Sequence, residues 1–416
     1  MMNHHLADKV ANALLYAIAF CIPFAKPLLP LLFVVFGGVQ CWRYAIHRRF
    51  YRPACSLPIW TSVTTYLIFV AYTVFGFAND RANEILEIKF SYFAIPIMAF
   101  LINPITTGQL NRLYKMYILG CLAFDVIAVV HAAVIFHQTH DVAVLYYQSL
   151  SWYIHPSYQS MYHGFAIFLI ARSVFDKPLF RGSNGISFLL IIIFSAMMGA
   201  LASKAGIICL AIMGLFLLLY SAVKRRATKH VVALALCSVV AVLLINIIST
   251  GVASRITEAG KDLGALVNTG SEEVLHSTAY TSVTLRVVTW SSAFHVLMAH
   301  PFGVGIGRAA GHLDDYYISH QQPYAASLHL NAHQQFLQHG LDLGWLGIAL
   351  LMITFVAVMQ HLYKGKEYTG LVFCVLCLAN FMLESMLETQ AGIIFFFFWL
   401  MIYCRVERPY GPAESK

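Results

Sequence analysis

Charged side chains are scarce in this chain. Asp, Glu, Lys and Arg together make up 11% of its 416 residues, whereas hydrophobic residues make up 59%. A soluble domain carries about 25% charged residues, because its surface has to be solvated. The composition therefore excludes an ordinary soluble protein and indicates a chain that lies largely in lipid.

Long hydrophobic runs fill most of the sequence. Runs of about 16 to 24 apolar residues recur along nearly its whole length, which suits helices that cross a hydrocarbon core of about 30 Å and is too long for barrel strands of about 10 residues. We predict an all-α integral membrane protein with about twelve transmembrane helices. The expected spans are 10–25, 28–42, 58–77, 88–103, 115–136, 154–171, 185–200, 203–223, 230–248, 331–361, 368–384 and 390–404.

Basic residues are unevenly distributed among the connections between these spans. Of the 27 Lys and Arg residues, 19 lie at the N-terminus and in the connections near 43–57, 104–115, 172–184, 224–229, 362–367 and 405–416. The alternate connections hold more acidic than basic residues. By the positive-inside rule we expect both termini in the cytoplasm. The net charge of +8 follows from this topology, and we expect no nucleic acid partner.

The nine cysteines give no sign of an oxidising compartment. Eight of them fall in or at the ends of predicted spans, and Cys55 falls in a connection assigned to the cytoplasm, so we expect no disulfide. Cys374 and Cys377 have the spacing of a redox or metal motif. Inside an apolar helix such a pair is more often two small packing residues, and we assign no metal to it.

One connection is much longer than the others. Residues 249–330 form an outward-facing segment of about 80 residues, and loops of such length are commonly functional. Helix-like apolar spacing at 255–267 and 284–300 predicts a folded helical cap that lies on the bilayer surface. The expected organisation is helices 1–9 in residues 1–248, a cap in 249–330, helices 10–12 in 331–404 and a cytoplasmic tail in 405–416.

Two basic residues outside the cytoplasmic connections are candidates for binding an anion. Arg286 starts the second cap helix, where unpaired amides and the positive end of the helix dipole favour phosphate; the alternative is an arginine that contacts lipid headgroups. Lys204 is the only charge in the turn between the seventh and eighth spans. It either extends to the membrane interface without a specific role or holds a lipid phosphate.

His329 and His333 stand four residues apart where a membrane helix is about to begin. Imidazole is the side chain best suited to move a proton near neutral pH, so a histidine beside a lipid-accessible cavity suggests acid–base chemistry. The spacing also resembles that of zinc ligands, but Leu330, Asn331 and Ala332 supply no carboxylate. A structural histidine at a helix start is the alternative, and we expect no metal.

Three acidic residues lie within or beside the predicted spans. Asp125 stands out within the fifth span, where it either pairs with a neighbouring helix or has a function. Glu384 and Glu388 flank the last outer turn and could face the same cavity as His333. More often, such a pair is a solvated helix end.

The run around His333 resembles a known family. His333-Gln334, nine residues, Gly344, two residues and Gly347 fit the pattern His, then Asn, Ser or Gln, nine residues, Gly, two residues, then Gly, Thr or Tyr. This pattern is characteristic of the O-antigen ligases of Gram-negative bacteria. The upstream segments that also resemble family elements are His155-Pro156-Ser157-Tyr158, Ser203-Lys204-Ala205-Gly206, Arg286 with Trp290, His300-Pro301 and Gly303-x-Gly305.

One position departs from the family pattern. Lys204 stands where the family usually has Arg, which keeps the positive charge but gives up planar, bidentate contact with a phosphate. Part of a phosphate-binding role could then move to Arg286, Arg308 or Arg255.

The resemblance implies a membrane glycosyltransferase similar to the GT-C class. Such an enzyme would transfer O-antigen polysaccharide from undecaprenyl pyrophosphate to the lipid A core at the periplasmic face of the bacterial inner membrane, without cofactor or metal and with inversion. We expect a monomer among membrane lipids. The implied site residues are His333 as general base, Arg286, Lys204 and Arg308 as pyrophosphate-binding residues, and His329 and Gln334 as orienting residues.

Three other functions are compatible with parts of this pattern. An O-antigen polymerase uses the same donor but a second lipid-linked glycan as acceptor, and a protein O-oligosaccharyltransferase usually carries a further periplasmic domain, which we do not expect after the last span. A flippase for lipid-linked oligosaccharides belongs to another class. It would be expected to show internal repeats, paired broken helices and charges at membrane mid-depth, and the sequence contains no repeat.

Overall fold

The computed structural model describes residues 2–24, 26–48, 50–175, 179–180, 184–203, 206, 208, 211–216 and 282–406, with the backbone alone at 2–5, 175, 282 and 283. These residues form helices, and two isolated β-bridges are the only strand-like pairings among them. The predicted all-α class is confirmed. The ninth span, most of the eighth, the cap helix at 255–267, Lys204, Arg255 and the tail from residue 407 lie outside the described residues.

The first half of the chain contributes nine helices to the described part. They are α1 (Met2–Cys21), α2 (Leu28–His47), α3 (Leu57–Val74), α4 (Ala82–Lys89), α5 (Ser91–Ile97), α6 (Thr107–Thr139), α7 (Tyr147–Leu150), α8 (Pro156–Phe175) and α9 (Asn184–Leu201). Short 3₁₀ turns follow α5 at Met98–Phe100 and α6 at Val142–Leu145.

The second half contributes the cap helices and the last long helices. The cap helices are α10 (Ser282–Ala299), α11 (Ala309–Ser319) and α12 (Pro323–Ser327). They are followed by α13 (Gln335–Lys364), α14 (Tyr368–Phe381), a 3₁₀ turn at Met386–Glu388 and α15 (Gln390–Tyr403). The predicted helix at 284–300 is thereby confirmed as α10.

Five helices of the described part are long and apolar enough to cross a membrane, namely α2, α3, α6, α9 and α13; the shorter α14 and α15 are also apolar. The number of twelve spans stays a prediction. The span expected at 88–103 is interrupted, because α4 ends at Lys89, α5 starts at Ser91 and a 3₁₀ turn follows. Pro96 in α5 lacks the N–H that a continuous helix would use.

The last helix forms the centre of the largest core. Every residue of α15 from Ala391 to Tyr403 is buried, including Trp399 and the run Phe395 to Phe398. This helix is apolar on all sides, and rings from α5, α6, α8 and α14 pack on it. This places both ends of α15, and the turns before it, at fixed positions in the bundle.

Connections that the charge pattern assigns to the same side of the membrane contact one another. Among the connections assigned to the cytoplasm, Ala54 N donates to the carbonyl oxygen of Cys404, and Ile105 N donates to that of Arg405. At the opposite end, Ile306 N donates to the Phe77 carbonyl oxygen. In the described part of the chain, these contacts thus lie at the two opposite ends of α3.

The cap has its own small core and joins α13 by close backbone contact. Val288, Leu313, Tyr317 and Ala325 are members of this core, together with Leu341 of α13. The turn after α10 packs against the kink in α13, where Trp345 N donates to the carbonyl oxygen of Pro301 at 3.0 Å. Residues that follow this kink therefore keep a fixed position relative to the cap.

Asp125 pairs with a neighbouring helix, which is one of the two alternatives left open by the sequence. Its Oδ1 lies 2.7 Å from Nε2 of His163 on α8 and 3.3 Å from Nε2 of Gln159. The His163 ring is held from its other side, because Nδ1 lies 2.6 Å from the Gln159 carbonyl oxygen. This buried pair connects α6 to α8.

Candidate functional site

A carboxylate at the outer end of the bundle joins the two residues that the sequence singled out most clearly. Residues 382–389, here called the glutamate loop, connect α14 to α15 and carry Glu384. Oε2 of Glu384 lies 3.1 Å from Nδ1 of His333, and Oε1 accepts a hydrogen bond from Nη2 of Arg286 at 2.9 Å. Arg286 Nε also donates to the carbonyl oxygen of Leu383 at 3.2 Å.

The contact with Glu384 determines which nitrogen of His333 can act as a base. An ionised carboxylate only accepts hydrogen bonds, so Nδ1 of His333 carries the hydrogen that it donates to Glu384. Nε2 then keeps its lone pair in the neutral ring. The imidazole is 32% exposed, so this nitrogen belongs to a ring that a substrate can reach.

Short-range hydrogen bonds fix the backbone on both sides of His333. Its φ angle is +43°, and its N–H donates to the Asn331 side-chain oxygen at 2.9 Å. Trp290 Nε1 on α10 donates to its carbonyl oxygen at 3.2 Å. The next residue, Gln334, caps α13 by accepting a hydrogen bond from Leu337 N. The unusual backbone conformation is thus held by partners from the cap and from the helix start.

The start of α8 lies against the same carboxylate. The Ser157 hydroxyl donates to Oε1 of Glu384 at 3.4 Å, and its oxygen lies 3.5 Å from the hydroxyl of Ser203. His155 precedes this helix and interacts electrostatically with Glu384, His333 and Arg286. Glu384 therefore lies beside the first turn of α8, where the positive end of the helix dipole favours the ionised carboxylate.

The electrostatic surroundings keep Glu384 ionised. Burial alone would raise the pKa of the carboxyl. At the low pH where this group titrates, the hydrogen bond from His333 and the positive charges of His333, Arg286 and His155 outweigh burial and hold that pKa below its usual value. For His155, burial lowers the pKa of the imidazole, Glu384 opposes this effect, and His333 and Arg286 add to it. The net pKa of His155 is lowered, so this ring is neutral at neutral pH.

The other predicted site residues have different surroundings. Gln334 caps α13, and its Nε2 lies 3.5 Å from the sulfur of Met382 in the glutamate loop. His329 is 77% exposed, and its Nδ1 lies 2.7 Å from Oδ2 of Asp314 on α11. The two histidines are not on one helical turn, because α13 starts only at Gln335.

The guanidinium of Arg308 binds backbone oxygens. Its Nε donates to the carbonyl of Ala78 at 3.1 Å, and Nη2 donates to those of Gly76 at 2.8 Å and Ala78 at 2.9 Å. These bonds connect the start of α11 to the segment after α3. Among the predicted site residues, the structure therefore joins His333 and Arg286 through Glu384 and places Gln334 at the helix start beside them.

The glycines of the sequence motif have a steric explanation. Gly344 has a φ angle of +68° and forms a kink inside α13. A Cβ atom there would lie 2.2 Å from the carbonyl oxygen of Pro301, and one on Gly303 would lie 2.5 Å from Gly344 N. Only residues without a side chain allow the cap to approach this closely. In the sequence motif, His333 belongs to the catalytic candidates, and Gly344 marks the kink against which the turn after α10 packs.

The described residues contain no group of three or more His, Cys, Asp or Glu side chains that could hold a metal ion. The polar groups around His333 are one carboxylate, one guanidinium, hydroxyls and a second imidazole. This donor set suits proton transfer and the binding of a polyanion.

The sequence left Glu384 between two alternatives and did not predict that it joins His333 to Arg286. Of the two alternatives for Glu384, the structure supports the one in which it faces the same site as His333, because Glu384 is buried and bound from two sides. Glu384 lies 51 residues from His333 and 98 from Arg286 along the chain, so no local spacing connects them. The sequence feature that pointed to Glu384 was its position as an acidic residue at the same predicted outer end of the bundle as His333.

The fold and the site define a helical membrane protein with an imidazole, a carboxylate and a guanidinium at one end of the bundle. Residues 188–352 match the family model described as O-Antigen ligase. This segment contains Arg286, Arg308, His329, His333 and Gln334, and Glu384 follows it. No curated protein sequence matches the chain.

Residues 188–352 are therefore similar to the O-antigen ligase family, and the resemblance noted from the sequence is confirmed. The family model covers enzymes of O-antigen ligase or polymerase type. This similarity agrees with the apolar helices of a multi-pass membrane protein.

Proposed function

We propose that this chain is an O-antigen ligase of the bacterial inner membrane. It transfers O-antigen polysaccharide from undecaprenyl pyrophosphate to a sugar hydroxyl of the lipid A core at the periplasmic face. The observation that carries the proposal is the pair of contacts through which Glu384 binds His333 at 3.1 Å and Arg286 at 2.9 Å, since both partners lie in the matched segment.

The proposed proton transfer uses the nitrogen of His333 that does not face Glu384. Nε2 accepts the proton of the acceptor hydroxyl while the oxygen attacks the anomeric carbon of the donor. Glu384 stabilises the imidazolium that forms, because it accepts the hydrogen bond from Nδ1 and carries a negative charge. Assistance by a positioned general base accelerates such a step by about 10²–10⁴-fold.

The leaving group departs with the electrons of the broken bond. A glycosidic C–O bond forms on one face of the anomeric carbon as the bond to pyrophosphate breaks on the other, so direct attack predicts inversion. The lipid pyrophosphate is a good leaving group that needs binding more than protonation. We assign this binding to Arg286, whose guanidinium carries five N–H donors and is suited to bidentate phosphate contact.

The remaining predicted site residues are assigned supporting roles. Lys204, which follows Ser203 in the chain, is proposed as a second cation for the pyrophosphate. Gln334 orients His333 through the cap of α13. His329 and Arg308 act on the site through the position of the cap, since their partners are Asp314 and the segment 76–78. No cofactor takes part, and chelation is expected to leave the transfer rate unchanged.

An O-antigen polymerase is the second candidate, because the matched family includes both types of enzyme. The two reactions share the donor and the chemistry at His333 and differ in the acceptor. A protein O-oligosaccharyltransferase also shares the donor, whereas a flippase would need no general base.

The composition of lipopolysaccharide in a deletion strain distinguishes these functions. Deletion of a ligase leaves the core uncapped while long polymer accumulates on the lipid carrier, and we expect this result. Deletion of a polymerase leaves a single repeat unit on the core, which would contradict the proposal. Normal lipopolysaccharide with loss of glycan from a protein would favour the protein transferase. Complementation with the unaltered chain is the control.

A further inference from the structure

A buried lysine lies beneath the glutamate loop. Lys89, the last residue of α4, is 1% exposed. Its Nζ donates to Oε1 of Glu388 at 2.6 Å and to the carbonyl oxygen of Leu387 at 2.9 Å. The rings of Phe69 and Tyr92 surround it, with centroids 5.2 Å and 5.7 Å from Nζ. A buried ammonium is costly unless it is paired and hydrogen bonded, so these contacts have to form together.

The first residue of α13 binds the same part of the loop. Gln335 accepts a hydrogen bond from Leu387 N, and its Nε2 donates to Oε1 of Glu388 at 3.3 Å and to Nδ1 of His339 at 2.8 Å. Nε2 of His339 therefore carries the hydrogen and donates to the Tyr92 hydroxyl at 3.1 Å. Both polar atoms of the Gln335 amide are thus hydrogen bonded. The amide joins α13 to the glutamate loop directly, and His339 joins α13 to Tyr92 on α5.

The contacts of Lys89 and Gln335 with the glutamate loop lie close in sequence to both His333 and Glu384. His333 precedes Gln335 by two residues, and Glu384 precedes Leu387 by three in the same loop. The Met386 carbonyl oxygen between them accepts a hydrogen bond from the Tyr158 hydroxyl at 3.2 Å. A displacement of about 1 Å in a catalytic contact lowers a rate by about 10²-fold. The position of the loop relative to the start of α13 is therefore functionally important.

We propose that Lys89 is a positioning residue of this site. It neutralises Glu388 and holds the Leu387 carbonyl, and thereby fixes the glutamate loop where Glu384 contacts His333. Lys89 acts through Glu384 and has no contact with the substrate in this account. The inference rests on the proposed function, in which Glu384 orients His333.

A double-mutant cycle on the transfer rate tests this inference. Lys89→Met keeps the unbranched side chain and removes the charge, and the substitution is measured alone and together with Glu384→Gln in the full-length chain reconstituted in vesicles. Alone, we expect it to lower kcat about 10-fold and to change the KM for the lipid-linked donor less than about threefold. In the Glu384→Gln background we expect a further loss of less than about twofold.

A purely structural role of Lys89 predicts a different result. The same fold loss of kcat in both backgrounds would overturn the inference, because additive effects mean that Lys89 does not act through Glu384. If Lys89→Met does not accumulate in the membrane, Glu388→Gln replaces it in the same cycle and is judged by the same two outcomes. Unchanged kcat in Lys89→Met, or in the Glu388→Gln variant that replaces it, would also overturn the inference.

A second buried cation provides the matched control. Arg43 on α2 is buried and donates to Asp8 at 2.8 Å and to Gln40 at 2.6 Å, on the side assigned to the cytoplasm. Arg43→Met is expected to lower thermal stability without changing kcat. A Glu384→Gln variant with unchanged kcat would instead refute the role of Glu384 in the proposed function, so the two failures can be told apart.

Discussion

Glu384 is the residue on which the geometry of the site depends. One of its oxygens faces Nδ1 of His333 and the other faces Arg286 and Ser157. A carboxylate in this position fixes the imidazole tautomer and stabilises the ring when it gains a proton. Because the pKa of Glu384 is held below its usual value, the carboxylate is present throughout the neutral range.

Replacement of Glu384 by Gln is expected to lower kcat about 10–100-fold with little change in the KM for the donor, because the amide carries no charge to stabilise the imidazolium. The transfer rate of the purified chain in vesicles measures this effect. Glu84→Gln is the matched control, since Glu84 is an exposed carboxylate on α4 that pairs with Arg81. Equal rates for Glu384→Gln and the unaltered chain would contradict the role of Glu384.

The sequence predicted His333 and Arg286 as site residues but left Glu384, the residue between them, with two alternatives. His333 belongs to a motif with fixed local spacing, and Arg286 starts an amphipathic helix, so both leave a pattern in a short window. Glu384 leaves none, because it contacts both residues only after α13 and α14 have folded back on each other. Lys89 is a similar case, since its partner Glu388 is 299 residues away.

At the scale of single elements, α13 connects the cap to the membrane bundle. Its first turns carry Gln335 and His339, and its kink at Gly344 meets the turn after α10. Apolar periodicity predicted one helix over 331–361 and could not reveal the kink, which arises from contact with Pro301. The interruption of the span expected at 88–103 was missed for a related reason, because mean hydropathy does not register where a helix breaks.

Gly344→Ala is expected to destabilise the folded chain by at least about 2 kcal/mol, since alanine is disfavoured at φ +68° and its Cβ would collide with the Pro301 carbonyl. The thermal unfolding midpoint in detergent measures this loss, and transfer activity should fall with it. Gly38→Ala is the matched control, because Gly38 lies inside α2 with no atom within 4 Å of an added Cβ. Comparable midpoints for the two variants would show that the close approach at Gly344 is not required.

At the scale of the whole molecule, the site lies at the end of the bundle that the charge pattern assigns to the periplasm. The glutamate loop, the cap and the start of α8 meet there. The opposite end of the described part carries Arg43 and Arg405. The sequence can predict which end of the bundle faces the periplasm, because this assignment depends on the charges of many residues together. The site depends on a few individual contacts, which the sequence does not reveal.

Labelling of single introduced cysteines tests the orientation. Ser319→Cys lies at the end of α11 in the cap, and Tyr363→Cys lies at the exposed opposite end of α13. A membrane-impermeant maleimide added to spheroplasts should label Ser319→Cys above the background of the unaltered chain and should label Tyr363→Cys only after permeabilisation. The reverse pattern would invert the topology and place the site on the cytoplasmic side.

The most direct test of the central claim is the transfer rate of His333→Ala. The chain is reconstituted in vesicles with lipid pyrophosphate-linked polysaccharide as donor and lipid A core as acceptor, and His320→Ala serves as a control with an exposed cap histidine removed. We predict that His333→Ala loses at least about 10²-fold in kcat while His320→Ala keeps the rate of the unaltered chain. A His333→Ala rate within about threefold of the unaltered chain would contradict the account.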